Sequence, residues 1–273
     1  MDREAFEHHL NDRSRRGPES HGAFTGSAGG AACGDLIRVS LVMSNGLVER
    51  VTFDASGCGA AQAAGAAVAA LAEGSSVLDA ALVGAAGVEA ELGGLTSQGR
   101  HAAELAADAL HRALATVAAG DEQLAGPSED RVLVAMSGGV DSAVAAVRER
   151  EAGREVVAVT LKLWADERND GERSCCSPEA VRGARALAHS LGIPHLTLDL
   201  EQRFRAGVVA PFLAGYAAGE TPNPCVLCNG DLRIDAMIAL AGRVGAPALA
   251  TGHYARVVDD GDGPLLAAAA DSA

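Results

Sequence analysis

Three short strings and six cysteines hold most of the chemistry open to this 273-residue sequence. The first, Ser137-Gly-Gly-Val-Asp-Ser142, follows the apolar run Val132–Ala135 and precedes an Ala/Val-rich segment, which reads as strand, glycine turn, helix. Such a turn lets the backbone curl close to a phosphate, and the helix that starts there aims its free N–H groups at the anion. No Gly-Lys-Ser/Thr follows, so the turn has no lysine for the β/γ-phosphates. The second string, Thr221-Pro-Asn-Pro-Cys-Val-Leu-Cys-Asn229, places two thiols where a Pro-rich loop becomes a helix. A thiolate at a helix N-terminus has a depressed pKa, and Cys228 is read at that position. The third is Ala250-Thr-Gly-His-Tyr-Ala-Arg256, in which His253 is read equally as a contact to nucleotide or RNA and as a structural group at a strand end.

These strings need scaffolding, and the pattern supplies two units. Residues 1–119 open with a polar, Gly-rich lead-in over 11–30. A hairpin follows, 36–43 and 47–53 about Asn45-Gly46, then helices from Cys58 to Ala119. Residues 120–130, rich in charge, Gly and Pro, read as a linker. Residues 131–273 alternate: strand 131–136, helix 141–151, strand 155–161, polar loop 165–175, helix 178–191, strand 193–199, helix 201–217, loop 220–227, helix to about 244, strand 247–250. That is an α/β unit with a parallel sheet covered on both faces. A hairpin pattern begins about the polar turn 259–263, which reads as a chain cut before its fold is complete.

Composition excludes some functions. The net charge of −14 makes non-specific nucleic-acid binding a poor fit; no DNA partner is expected, and an RNA partner needs a local basic patch. The N-terminus lacks the apolar core of a signal peptide, and the Ala-rich run 59–72 is too short to span a membrane, so a cytoplasmic location without membrane partners is expected. In such a setting the cysteines read as metal or redox chemistry rather than a disulfide frame. Adjacent Cys175 and Cys176 read as redox-active, or as the source of one cluster ligand, and equally as inert loop thiols.

The string Ser137–Ser142 resembles the PP-loop of ATP pyrophosphatases. All three strings in order, with Lys162-Leu-Trp164 and Cys175-Cys-Ser-Pro178, resemble the MnmA/TrmU family of tRNA-specific 2-thiouridylases, from Arg131 to the end. The resemblance implies a Rossmann-like fold of the adenine nucleotide alpha hydrolase type. It also implies that ATP adenylates O2 of the wobble uridine at tRNA position 34, after which sulfur displaces AMP at C2. ATP would be held by Ala135, Met136, Ser137, Gly138, Gly139, Val140, Asp141 and Ser142, with Leu161 and Gly252; Mg2+ is expected beside the phosphates. Asn223, Pro224 and Cys225 match the segment that meets the target base, and Cys228 matches the nucleophile. Many members have Asp where this chain has Cys225, so Cys225 and Cys228 are read as two ligands of a [4Fe–4S] cluster, against a redox pair or a zinc half-site. The family's second essential Cys and its later domains lie beyond residue 273, so a further ligand would come from outside this chain.

Residues 4–118 resemble the IscU/NifU N-terminal scaffold family, an α+β fold with a small antiparallel sheet. Cys33, Asp35, Cys58 and His101 match its ligands, and two loop tips with one helix start can converge on a single metal. Ala102 stands where the family has a sulfur-accepting Cys, which argues against cluster assembly de novo and leaves two cysteines, one aspartate and one histidine for zinc or [2Fe–2S]. His8, His9, His21 and His111 lack such context and read as surface residues. The leading expectation is a tRNA sulfurtransferase supplied by a cysteine desulfurase or sulfur carrier. The alternatives are an iron–sulfur scaffold or carrier with a truncated, inactive ATP-binding domain, and a PP-loop ligase with another substrate.

Overall fold

The computed structural model describes residues 2–30, 33–97, 99–163 and 178–270. Trp164, Cys175 and Cys176, singled out above, lie outside them.

The N-terminal unit begins with α1 (Arg3–Asn11), capped by the Asp2 carboxylate. Strands β1 (Phe24–Gly29), β2 (Leu36–Ser44) and β3 (Leu47–Ser56) form one antiparallel sheet in that order. Asn45 and Gly46 both take positive φ, 52° and 77°, the geometry of a tight two-residue hairpin turn. Helices α2 (Gly59–Ala72), α3 (Val77–Ala80), α4 (Ala85–Glu91) and α5 (Arg100–Ala119) follow.

β1 is a strand where the sequence reads as a lead-in. Phe-Thr-Gly-Ser-Ala-Gly has little strand propensity; packing makes it one. A Cβ on Gly26 would stand 2.2 Å from the backbone nitrogen of Ala113, so the missing side chain lets β1 lie directly against α5.

In the C-terminal unit, β4 (Arg131–Ala135), α6 (Val140–Glu151), β5 (Glu155–Lys162), α7 (Pro178–Ser190) and β6 (His195–Asp199) alternate as the pattern predicts. Next come α8 (Glu201–Phe204), a π-helical stretch Arg205–Val209 and α9 (Ala210–Ala217). A second helical segment is built from α10 (Pro224–Leu227), a π-helical stretch Cys228–Ile234 and α11 (Asp235–Arg243). β7 (Ala248–Ala250) completes a parallel sheet of order β6-β5-β4-β7. β8 (Arg256–Asp259) pairs with β9 (Pro264–Ala267) in an exposed hairpin. Apolar side chains of α6 and α7 pack with Val132, Val134 and Ala158 on one sheet face; α11 packs with Leu133 and Val157 on the other. Among the described residues no helix is long and apolar enough to cross a membrane.

Segment 120–130 is docked rather than free. Leu124 is 1% exposed, and its N–H donates to the carbonyl of Arg243 at 2.8 Å. The Arg243 guanidinium donates in turn to the carbonyls of Val117, Ala118 and Glu122, satisfying the open end of α5.

Two histidines expected at the surface are buried: His9 at 6% exposure and His111 at 3%. His9 Nε2 meets the Glu91 carboxylate, and His111 donates to the carbonyl of Val83. His111 belongs to a seam between the units. Its ring lies 5.2 Å from that of His189, which donates to the carbonyl of Ala81. Arg185 bonds the Asp108 carboxylate across the same seam at 2.8 Å. Burial pushes Asp108 up, but Arg185 and Arg112 outweigh it and hold the carboxyl below its usual range.

Candidate functional site

The glycine turn lies where the parallel sheet changes direction. β5 and β6 are laid down on one side of β4 and β7 on the other, so the carboxyl ends of β4 and β7 flank a crevice. Gly138 takes φ +80°, and Gly139 precedes α6 in an extended conformation. Ser142 fixes the turn: its hydroxyl donates to the Gly139 carbonyl at 2.9 Å and accepts from the Ser137 N–H at 3.2 Å. Gly252, just past the end of β7, is pressed against this turn. A Cβ there would stand 2.8 Å from the Ser142 nitrogen and 3.0 Å from the Asp141 carbonyl carbon.

The cavity so formed holds about 410 Å³. Of the expected nucleotide residues, Ala135, Met136, Ser137, Asp141, Ser142, Leu161 and Gly252 line it, while Gly138, Gly139 and Val140 form the turn without lining the cavity. His253 lines it too, its ring 2.6 Å from the Thr251 hydroxyl. The Asp141 carboxylate accepts a 2.6 Å hydrogen bond from the Tyr254 hydroxyl, and that bond raises the phenol's pKa. Behind the wall, Thr160 donates to the Met136 carbonyl and accepts from His195 Nε2, both at 2.8 Å. Burial pushes His195 down to about 3 and keeps it neutral.

The helical segment that carries the two cysteines reaches the crevice only beyond them, from Asn229 onward. Its helix begins one turn earlier than the sequence suggests, because Asn223 caps it, accepting the Cys225 N–H at 3.0 Å, and Pro224 takes the first helical position. Cys225 therefore occupies the N-terminal turn, and Cys228 stands a full turn inside; this corrects the placement of Cys228 at the helix start. Spaced i, i+3, the two thiols share a face, Cys225 exposed and Cys228 half-buried. Neither is in a disulfide. Asn229, next to Cys228, lines the crevice with Arg233, Ile234 and Met237. Sequence reading missed Arg233. The signal available was its i, i+4 spacing from Asn229, to which it donates at 3.4 Å.

At the N-terminal unit the four expected ligands gather in pairs. Asp35 accepts the Cys58 N–H at 2.8 Å and its thiol at 3.4 Å. Cys33 lies 3.6 Å from the Asp35 carbonyl and bonds His101, which lowers the thiol's pKa and raises the imidazole's. The donor types suit zinc or an iron–sulfur cluster, and these contacts bring all four into one neighbourhood. Among the described residues, no three His, Cys, Asp or Glu groups stand ready-made around one metal position. Ala102, the substituted position, is buried at the start of α5.

Residues 130–273 match the family described as "tRNA methyl transferase HUP domain", and residues 2–122 match the "NifU-like N terminal domain". The bifunctional protein NifU/MnmA of Rubrobacter xylanophilus is 46% identical over 272 residues, covering 96% of this chain and 54% of that protein. The tRNA-specific 2-thiouridylase MnmA of Sorangium cellulosum is 53% identical over 138 residues, 50% of this chain and 36% of its own length. That of Acidothermus cellulolyticus is 50% identical over 145 residues, 52% of this chain and 40% of its own. The chain thus spans about half the length, or less, of these curated relatives. With a parallel sheet that opens a crevice at its switch point, behind a three-stranded antiparallel unit, the chain belongs to the tRNA methyl transferase HUP domain family and carries a NifU-like N-terminal domain ahead of it.

Proposed function

We propose that this chain is the ATP-binding part of a tRNA-specific 2-thiouridylase, with a fused metal-binding module. The observation that carries the reading is one crevice lined both by the glycine turn and by Asn229, Arg233, Ile234 and Met237, which continue the helical segment that holds Cys225 and Cys228. An ATP-splitting turn suits adenylation of an oxygen, a step that methyl transfer does not need, and the Cys228 thiol one residue from the crevice lining suits delivery of sulfur to the activated carbon. The relatives named 2-thiouridylases agree with that choice.

In this reading the N–H groups of the turn and the start of α6 receive the phosphates of ATP. Asp141 is the carboxylate available to Mg2+ once Tyr254 releases it. Mg2+ supplies charge neutralisation at the phosphates. Asn223, Pro224 and Cys225 present the wobble uridine, whose O2 is adenylated, and Cys228 acts in delivering sulfur to C2. Cys225 and Cys228 can hold two corners of a [4Fe–4S] cluster. Cys33, Asp35, Cys58 and His101 would hold zinc or a [2Fe–2S] cluster, exchanging their mutual hydrogen bonds for the metal. A cysteine desulfurase or sulfur carrier is the partner that this sulfur chemistry requires.

The test is release of pyrophosphate from ATP in the presence of unmodified tRNA, with AMP released in turn when a sulfur donor is added. Asp141→Asn should cut it sharply; unchanged release would remove the nucleotide assignment. Cys228→Ala, made in the full-length protein, should keep pyrophosphate release and lose 2-thiouridine.

A further inference from the structure

The crevice must accept a polyphosphate, yet it is poor in positive charge. Of the described residues that line it, Arg233 is the only lysine or arginine. It projects from the π-helical stretch Cys228–Ile234, and such widened turns recur at functional sites because they re-aim side chains. Its Nη1 makes only a long 3.4 Å bond to Asn229 on its own helical segment. Its Nε is closed off from solvent and has no acceptor among the described residues. A buried donor left unpaired is costly, and a guanidinium donor the more so. Across the crevice stand Ser137 and Ser142, at the start of the helix whose N–H groups favour an anion.

Building on the ATP reading above, we propose that Arg233 is the phosphate-binding cation of this pocket, donating from its guanidinium to the phosphate oxygens of ATP. The turn itself has no lysine, so the charge that other nucleotide turns carry in their own sequence is supplied here by the facing helix. The chemistry uses such a group. When the uridine oxygen attacks the α-phosphorus, a new P–O bond forms, the bond to the β-phosphate oxygen breaks, and negative charge collects on departing pyrophosphate. A guanidinium offsets that charge without taking up a proton, and its planar fork can hold two oxygens at once.

Calorimetric titration of the 273-residue chain with ATP, and separately with adenosine, tests the assignment. Arg233→Met should weaken ATP binding about 10- to 100-fold and leave adenosine binding unchanged. Arg233→Lys should recover part of the loss, since it restores the charge without the fork. ATP affinity unchanged in Arg233→Met, with Asp141→Asn impaired, would overturn the role of Arg233 and leave the nucleotide site standing. Parallel loss of ATP and adenosine would also overturn it, because that is the mark of a scaffold residue. Absence of ATP binding by the unaltered chain would remove the nucleotide reading as well.

Discussion

The crevice and the N-terminal cysteine corner draw on the same kinds of side chain but are built differently. The crevice is framed by strand ends, helix starts and the Gly252 contact, so its shape is fixed by backbone before any ligand arrives. The corner rests on loop tips and the first turn of α5, and its four donors satisfy one another in pairs. A nucleotide needs a shaped, dry pocket with N–H groups already aimed. A metal can gather its own ligands and repay their rearrangement.

That contrast can be broken by asking which changes harm the protein with nothing bound. The largest effect should come from acid, acting behind the crevice. Unfolded His195 takes up a proton near pH 6.5, while the folded residue resists until about 3, so stability falls as pH falls through that window. The slope is roughly 1.4 kcal/mol per pH unit from His195 alone, and His111 and His189, also lowered by burial, add to it. Urea unfolding at pH 7 and pH 4 should show a clear drop in midpoint; equal midpoints would mean these histidines are solvated.

Next in size is Gly252→Ala. Its methyl group has to displace the backbone at Ser142, at a cost of about 1–3 kcal/mol, and ATP affinity should fall roughly tenfold or more. Wild-type ATP affinity would show that the turn yields, and the crevice would then be no more preformed than the corner. Asn223→Ala removes a helix cap and should cost about 1 kcal/mol, read as a lower thermal midpoint. The smallest effect belongs to the corner. Asp35→Asn should shift metal-free stability by no more than about 0.5 kcal/mol, yet lower the metal content of protein purified anaerobically. A large loss in the metal-free protein would erase the contrast.

Much of this was legible in the sequence because the chemistry sits on regular elements. The alternation from Arg131 to Ala250 gives the sheet, and the glycine turn falls at the end of β4 as the pattern requires. What was hidden depends on partners distant in sequence. β1 reads as a loop because Gly26 serves α5 rather than its own strand. His111 reads as a surface residue because the histidine and arginine around it come from α7. Arg233 is an ordinary helical arginine until the crevice forms in front of it. At the corner, residue types indicate a ligand set, but spacing alone cannot say how far the donors converge.

The stitched segment 120–125 changes what the fusion can tolerate. A loose, exposed join between modules usually accepts extra residues. Here Gln123 donates to the carbonyls of Gly242 and Arg243, and Arg243 holds the last turn of α5. Lengthening this stretch would strip acceptors from one module and donors from the other. The seam therefore ties the two halves together: a replacement N-terminal module has to bring carbonyls for Arg243, and a replacement C-terminal module has to bring a donor in its place.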